Sequence, residues 1–296
     1  MLADQLQKYG FQIDFVDPPK IPIKNLKNPS FVITSCVSSF FKGSYDIVHA
    51  FNVPSAFAMK AARAKKRILS IHGVFSDQVN ALHSSTLSDI AGATEQNVLK
   101  WADALTTDSK ASQKIYKEKL GLDFAYMPSP IDTTKFQYLG EVEKKENQIA
   151  YVGRDSYEKG IDILRQIEPK INGTVVYSTN LPWKEAMRII KSSSIVVVPS
   201  RMESLPTVVK EAFYLKVPVI ANAVGGIPEL VIDGNTGILV PPENPDKLLD
   251  QINSLLQDKK YAKKLADAAY DFVINNMTWN TILPKYVKFY ESLLES

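Results

Sequence analysis

The feature that most constrains the fold is a short apolar run, Ile195 to Val198, which ends abruptly at Pro199 and Ser200. A continuous β-branched run of this kind is typical of a strand buried on both faces of a parallel sheet. A helix is predicted to follow, with Ser204 as its N-cap and Pro206 in its first turn. The free backbone N–H groups of that helix would lie at the carboxyl end of the strand, where they favour an anion.

Two carboxylates flank the predicted start of this helix. Glu203 lies just before it, and Glu211 lies within it. Eight helical residues rise roughly 12 Å. We therefore expect the two side chains to reach opposite ends of an extended diphosphate ligand.

The rest of the chain alternates predicted strands with amphipathic helices, which indicates the α/β class with doubly wound parallel sheets. We expect one domain at 1–135, a second at 147–277 and a final helical segment at 278–296, with a charged, proline-containing linker within 128–146. The strands are predicted at residues 11–16, 45–50, 67–71, 102–106, 124–127, 148–152, 174–178, 195–198, 217–221 and 238–240.

Length and composition fit this organisation. The 296 residues, 45% hydrophobic and 23% charged, are enough for two domains of ordinary size. No apolar run approaches the roughly 20 residues of a membrane span, and a net charge of +3 is too small to indicate a nucleic-acid partner. The single cysteine, Cys36, excludes an internal disulfide. We expect a cytoplasmic protein with no nucleic-acid partner.

An ordered set of motifs resembles the signature of retaining GT-B glycosyltransferases of the family-4 type. The set is centred on Glu203 and Glu211, and it includes Pro199-Ser200, the segment Val224 to Glu229, Tyr151 to Arg154 with Lys159-Gly160, and more weakly Ile71-His72-Gly73, 106–109 and 128–136. The resemblance implies the GT-B fold, with two Rossmann-like domains that face a cleft, both reduced in size here. It also implies that the helix at 278–296 crosses back to the first domain.

The activity implied by the resemblance is transfer of a hexosyl-type sugar, with retention, from a nucleotide diphosphate sugar to a sugar, lipid or other small acceptor. In the family, cations at the positions of Arg154 and Lys159 hold the diphosphate, Glu203 holds the donor sugar and Glu211 holds the ribose hydroxyls. A histidine at the position of His72 contacts the donor sugar at the reaction centre. The donor site is completed by Leu205, Pro206, Thr207, Gly225 and Gly226. The structural alternative for Arg154 and Lys159 is a surface ion pair with Asp155 or Glu158.

Motifs that are missing from the sequence also narrow the chemistry. The chain contains no Asp-x-Asp, no P-loop and no Gly-x-Gly-x-x-Gly, which disfavours a metal-dependent transferase, an NTPase and a dinucleotide oxidoreductase. We therefore expect no metal and no cofactor besides the donor. The charge of the leaving group would be stabilised by Arg154, Lys159 and the helix N-terminus after Ser204.

Two departures from the family pattern leave alternatives open. Family members begin one strand earlier, with a glycine-containing loop, so the chain is expected to be truncated at its N-terminus. Arg154 and Glu203 are only 49 positions apart, which predicts the loss of one strand–helix unit. One alternative is a degenerate GT-B module that binds nucleotide or a partner subunit without transferring sugar, as a homo-oligomer or as part of a complex. The other is a GT-B sugar-nucleotide epimerase.

A second apolar pattern lies near the N-terminus. The residues Phe31, Ile33, Cys36, Val37, Phe40 and Phe41 form a stripe at helical spacing, and a basic group follows at Lys60, Arg63, Lys65, Lys66 and Arg67. Stripes of this kind usually belong to the core, so we expect a core helix and a solvated charged segment. The other interpretation is peripheral contact with the anionic inner face of a membrane.

Overall fold

The computed structural model describes residues 2–17, 27–73 and 85–295, and the chain divides into two compact units. One unit contains Met1–Pro128 together with Leu283–Ser296, and the other contains Ser129–Ile282. Each unit is built on its own parallel sheet with helices in the connections. The prediction of an α/β fold with two doubly wound sheets is confirmed.

The first unit has a four-stranded sheet in the order β1-β2-β3-β4, with every pairing parallel. Its elements in chain order are α1 (Leu2–Gln7), α2 (Lys27–Phe41), β1 (Ser44–Phe51), α3 (Val53–Ala61), β2 (Arg63–Ile71), α4 (Ser85–Leu99), β3 (Ala104–Thr107), α5 (Lys110–Leu120) and β4 (Ala125–Tyr126). A buried cluster that includes Met59, Leu69, Val98 and Tyr116 forms its core.

The strand predicted at residues 11–16 is not formed. Residues 11–17 carry no strand pairing, and β1 is the edge strand of the described sheet, paired with β2. A groove of about 1030 Å³ is lined by this segment and by β1, with Leu6 and Met59 among its apolar residues. Alternation of apolar residues predicted a strand here, but a strand also needs a neighbouring backbone with which to pair.

The second unit has a five-stranded parallel sheet in the order β6-β5-β7-β8-β9. Its elements are a 3₁₀ segment (Thr133–Leu139), β5 (Gln148–Val152), a 3₁₀ turn (Tyr157–Lys159), α6 (Ile161–Ile167), a 3₁₀ turn (Glu168–Lys170), β6 (Thr174–Ser178), α7 (Trp183–Ser192), β7 (Ile195–Val198), α8 (Thr207–Tyr214), β8 (Val219–Asn222), α9 (Ile227–Leu230), β9 (Ile238–Val240), α10 (Pro245–Gln257) and α11 (Lys259–Asn276). A last helix, α12 (Trp279–Glu295), begins in this unit and continues into the first.

The apolar run Ile195 to Val198 forms the central strand, β7. Val196 and Val198 belong to the apolar cluster on one face of the sheet, and Ile195 and Val197 belong to the cluster on the other face. All four side chains are at most 5% exposed. Alternate residues of a strand point to opposite faces, so a strand covered on both sides is apolar throughout, as predicted.

Residues 129–146 of the segment predicted as a linker belong to the second unit. Phe136 and Leu139 are buried, and the Phe136 ring packs on Trp183 at a centroid distance of 5.1 Å. The ammonium of Lys210 donates to the carbonyl oxygen of Ser129 at 2.7 Å. Two prolines and a charged run indicated a linker, but they could not show that Phe136 fills a gap between α7 and α8.

The expectation that α2 is a core helix is wrong. Ile33, Val37, Phe40 and Phe41 are between 53% and 81% exposed, whereas Ser35 and Ser39 on the same helix are buried. Periodicity identified the residues that share a face, but it does not determine which face turns inward. No helix within the described residues is both long enough and apolar enough to cross a membrane.

Candidate functional site

The loop between β7 and α8 carries the predicted site, and the helix after it begins later than expected. The N-cap of α8 is Pro206, not Ser204, and the first helical residue is Thr207. Proline has no side-chain acceptor, so Pro206 makes no capping hydrogen bond to the first turn of the helix. Leu205 and Pro206 are buried below the loop, and Thr207 is exposed.

Glu203 is held by two partners from neighbouring segments. Its Oε1 atom lies 2.7 Å from the Lys159 ammonium and accepts a hydrogen bond from the Ser200 hydroxyl at 2.8 Å. The Glu203 side chain is 9% exposed and that of Lys159 is 24% exposed. A charge-assisted hydrogen bond in a half-buried setting fixes the direction of both side chains. The structure therefore brings two of the predicted site residues together.

Two glycines allow the backbone to pass unusually close to this loop. Both have positive φ, +64° at Gly160 and +52° at Gly225. A Cβ atom on Gly160 would lie 1.9 Å from the carbonyl oxygen of Pro199, and one on Gly225 would lie 1.8 Å from that of Glu203. The loop is thus enclosed on two sides by positions that accept only glycine. Gly226 is buried at the N-cap of α9.

Hydrogen bonds also hold the backbone of the loop between β7 and α8. The Asn222 amide donates to the carbonyl oxygens of Pro199 at 2.8 Å and Ser200 at 3.1 Å. The backbone N–H of Arg201 donates to the carbonyl oxygen of Glu158 at 2.9 Å. These bonds tie the loop to β8 and to the turn that carries Lys159.

Arg201 anchors the outer side of the loop, a role that the sequence analysis did not assign. Its guanidinium forms two bonds with the Asp162 carboxylate, at 2.7 and 2.8 Å, and a third with Glu243 at 2.5 Å. The Tyr157 ring centroid lies 4.0 Å from the guanidinium carbon. Hydrogen bonds to the two carboxylates raise the pKa of Arg201. Its partners lie 39 and 42 positions away, so sequence spacing offers no signal for them.

Arg154 occupies a more exposed position than Lys159. Its guanidinium pairs with Glu158 at 2.8 Å, and its side chain is 70% exposed while that of Glu158 is 9% exposed. The Tyr151 hydroxyl donates to the carbonyl oxygen of Arg154 at 2.7 Å, which fixes the backbone at the end of β5. The structure therefore contains the ion pair between Arg154 and Glu158, while Lys159 pairs with Glu203.

Glu211 lies within α8 and is held by an aromatic residue from α7. The Trp183 indole N–H donates to Glu211 Oε1 at 2.7 Å. Burial raises the pKa of the Glu211 carboxyl, and the Trp183 hydrogen bond with the charges of Lys210 and Lys135 opposes this effect. Trp183 lies 28 positions before Glu211, and the sequence analysis did not identify it as a partner.

His72 lies in the first unit, at the carboxyl end of β2. Its Nδ1 atom is 3.0 Å from Asp108 Oδ2, and the imidazole is 33% exposed. The Phe51 ring stacks beside it, with ring centroids 6.1 Å apart. The carboxylate orients the imidazole and leaves part of it accessible.

A second histidine in this unit is partly buried and has a hydrogen-bond partner at each ring nitrogen. His49 Nδ1 lies 2.7 Å from the Tyr290 hydroxyl, and Nε2 lies 2.6 Å from the Ser70 hydroxyl. Burial, with a smaller contribution from the charge of His72, lowers the pKa of His49 to about 3. Both ring nitrogens are occupied, so His49 supports the position of β1.

Two family models match the chain, one in each half. The family model described as Glycosyltransferase Family 4 matches residues 2–135, and the one described as Glycosyl transferases group 1 matches residues 166–272. An uncharacterized glycosyltransferase of Methanocaldococcus jannaschii is 25% identical over 297 residues, which cover 85% of this chain and 76% of that protein.

Two solved structures resemble the chain across both units. The match to sucrose-phosphate synthase from Thermosynechococcus elongatus has a TM-score of 0.78 at 20% identity and covers 95% of this chain and 82% of that chain. The match to Anabaena HepE in complex with UDP-glucose has a TM-score of 0.71 at 16% identity and covers 98% of this chain and 88% of that chain. At these identities the likeness shows the fold alone.

Proposed function

Because two family models together span most of its length, the chain belongs to the group 1 and family 4 glycosyltransferases, and we propose that it transfers a hexosyl-type sugar from a nucleotide diphosphate sugar with retention and without a metal ion. The observation that carries this proposal is the Lys159–Glu203 ion pair on a loop enclosed by glycines, directly before the uncapped start of α8. The acceptor is a sugar, a lipid or another small molecule.

The diphosphate is the part of the donor that this loop suits best. Lys159 supplies a point charge, Arg154 supplies a planar fork, and the first turn of α8 supplies backbone N–H groups. Each cation is already balanced by one carboxylate, so a diphosphate would compete with Glu203 for Lys159. Glu203 would then be able to accept hydroxyl groups of the donor sugar.

Glu211 is suited to the ribose end of the donor. A carboxylate accepts several hydrogen bonds, so the bond from Trp183 leaves Glu211 with capacity for the ribose hydroxyls. The indole fixes the carboxylate orientation before a ligand arrives, which lowers the entropy cost of binding. Leu205, Pro206, Thr207, Gly225 and Gly226 would form the remaining wall of this donor site.

The proposed step balances without a nucleophilic residue. The bond between the anomeric carbon and the leaving phosphate oxygen breaks, and its electron pair stays on that oxygen. Lys159 and Arg154 stabilise the resulting charge. The acceptor oxygen bonds to the anomeric carbon from the same face and passes its proton to the departing phosphate. The proposed contact of His72 with the donor sugar rests on the family resemblance alone.

A calorimetric titration with nucleotide diphosphates and their sugars tests the proposal. UDP and UDP-glucose come first because the HepE structure holds UDP-glucose. Arg154→Ala and Glu211→Ala are each expected to weaken binding of one nucleotide at least tenfold, which corresponds to about 1.4 kcal/mol. The matched control is Arg165→Ala, which removes an exposed arginine paired with Asp155 in the same unit.

Turnover is measured in the same samples, with and without a chelator. We expect transfer or slow hydrolysis of the bound sugar, an unchanged rate with chelator, and a first product with the donor's anomeric configuration by NMR. Absence of binding to every nucleotide, or binding without turnover for any acceptor tried, would contradict the transferase proposal. An inverted product would overturn retention alone, and loss of the rate on chelation would overturn metal independence alone.

A further inference from the structure

The carboxyl ends of three neighbouring strands meet beside His72. In the register of the sheet, Ile71 of β2 pairs with Thr107 of β3, so His72 and Asp108 both stand one residue past that pair. The His72 Nδ1 atom lies 3.0 Å from Asp108 Oδ2. Phe51, the last residue of β1, stacks on the imidazole with the two ring planes 22° apart. Ligands of open parallel sheets bind at this edge.

The two members of the His72–Asp108 pair differ in exposure. The side chain of Asp108 is 6% exposed, whereas that of His72 is 33% exposed. A buried carboxylate is costly unless a donor faces it, so the donor that faces Asp108 is held firmly. The carboxylate therefore supports the imidazole from the protein side, while part of the ring can be reached by a ligand.

The face of the imidazole is supported as well as its edge. The Phe51 ring also stacks with His49, at a centroid distance of 4.2 Å. His49 is itself held by the hydroxyl groups of Ser70 and Tyr290. Asp108 thus acts on the edge of the His72 ring and Phe51 acts on its face, so rotation of the ring is opposed from two directions.

The Asp108 carboxylate also selects one tautomer of His72. An ionised carboxylate only accepts hydrogen bonds, so the nitrogen that faces it, Nδ1, carries the proton. In a neutral imidazole the other nitrogen, Nε2, is then an acceptor. An acceptor of this kind is suited to a ligand that offers hydroxyl groups, such as a sugar. It is not suited to a diphosphate, whose oxygens are themselves acceptors.

We propose that Asp108 is a positioning residue, which holds His72 in the Nδ1–H tautomer so that Nε2 accepts a hydrogen bond from a hydroxyl group of the donor sugar. This inference rests on the proposed function. It extends the recognition of the donor sugar to a second residue, which acts through the imidazole and does not itself touch the sugar. The sequence analysis assigned no role to Asp108.

Calorimetry on the full chain tests this inference through a double-mutant cycle. The variants are Asp108→Asn, His72→Gln and the combination of both. Each is titrated with the nucleotide sugar that wild type binds best and with the matching nucleotide diphosphate, because only the first ligand carries the sugar. Asp103→Asn is the matched control. Asp103 lies just before the other end of β3, and its carboxylate accepts the Arg67 backbone N–H at 2.7 Å, a bond that an amide oxygen can also accept.

The asparagine variant is expected to disturb the sugar and not the nucleotide. An asparagine side chain can turn its N–H groups toward Nδ1 and favour the other tautomer, which faces the sugar hydroxyl as a second donor. Asp108→Asn should therefore weaken binding of the nucleotide sugar at least about fivefold and leave binding of the nucleotide diphosphate unchanged. In the His72→Gln background the same substitution should change the affinity less than about twofold. Asp103→Asn should bind both ligands as wild type does.

Nitrogen NMR of the imidazole reads the tautomer without any ligand. At about pH 9, where an ordinary imidazole is neutral, the His72 signals are identified by their loss in His72→Gln. Wild type should show a protonated Nδ1 and an unprotonated Nε2, and Asp108→Asn should shift the population toward the other tautomer. The wild-type spectrum decides the tautomer even if Asp108→Asn does not fold, and circular dichroism shows whether each variant is folded.

Different outcomes would overturn different parts of this reasoning. An Nε2–H tautomer in wild type, or equal nucleotide-sugar affinity in wild type and Asp108→Asn, would overturn the positioning role. A loss of the same size in the His72→Gln background would show that Asp108 does not act through the imidazole. If wild type binds no nucleotide and no nucleotide sugar, the proposed function fails and the sugar ligand with it, whereas the spectra still decide whether Asp108 sets the tautomer of His72.

Discussion

Replacing Gly225 with alanine tests how tightly the Glu203 loop is enclosed. The new Cβ atom would lie 1.8 Å from the Glu203 carbonyl oxygen and 2.9 Å from its carbonyl carbon. No rotamer change relieves this overlap, because every atom involved is backbone or Cβ. Gly234 is the matched control, with φ of +70° and the Tyr261 hydroxyl as the nearest atom at 3.7 Å.

The two substitutions share one cost and differ in another. Alanine in the left-handed region costs about 1 kcal/mol at either position. At Gly225 the overlap also forces a backbone shift, which adds about 1–3 kcal/mol. We therefore expect the free energy of unfolding to fall by about 2–4 kcal/mol in Gly225→Ala and by about 1 kcal/mol in Gly234→Ala.

Urea unfolding followed by circular dichroism measures both values. With a slope of about 2 kcal/mol per molar, the two midpoints should differ by about 1 M. Gly225→Ala should also weaken nucleotide binding, because the shift displaces the backbone that carries Glu203, and Gly234→Ala should leave binding unchanged. Equal midpoints for the two variants would refute the argument that close backbone contact fixes the loop.

Three further predictions concern other contacts. Arg201→Lys should lower the free energy of unfolding, measured by thermal melting, by about 1–2 kcal/mol, because lysine cannot form the bidentate bond with Asp162. In Arg165→Lys, whose ion pair is exposed, the free energy of unfolding should stay within about 0.5 kcal/mol of wild type. Trp183→Phe keeps an aromatic ring but removes the N–H that donates to Glu211, so nucleotide affinity measured by calorimetry should fall several-fold. An unchanged affinity would show that the indole does not position that carboxylate. The pKa of His49 is lowered to about 3, so the folded state resists protonation, and wild-type stability should fall as pH drops below about 6.5. His49→Gln should show a weaker fall between pH 7 and pH 5 in urea melts, and parallel curves would contradict a neutral imidazole in the folded state.

The strongest sequence signals were those carried by a single element. The run Ile195 to Val198 contains its own evidence for burial, and it forms the central strand. The elements predicted between Arg154 and Glu203 are present as α6, β6, α7 and β7. Local periodicity, together with the Pro and Gly residues that end an element, is sufficient to predict such elements.

Features that depend on a distant partner were missed. Residues 11–16 have the alternation of a strand but no paired backbone. The Trp183–Glu211 bond joins residues from two helices, and no spacing rule connects them. Ser204 is a better cap than Pro206 by propensity, yet helical φ and ψ angles begin only after the proline. The direction of the apolar face of α2 is likewise a tertiary property.

The first unit is completed by residues 283–296, which are synthesised only after the whole of the second unit. The Tyr286 hydroxyl donates to the carbonyl oxygen of Met127 at 3.1 Å, and the Tyr290 hydroxyl occupies one nitrogen of His49 at 2.7 Å. At bacterial-like rates of about 5–20 residues per second, the ribosome needs roughly 10–30 s to pass from residue 128 to residue 283. During that interval the second unit can fold as one continuous segment. The first unit keeps part of its core uncovered, so it is the half of the nascent chain that needs protection from aggregation.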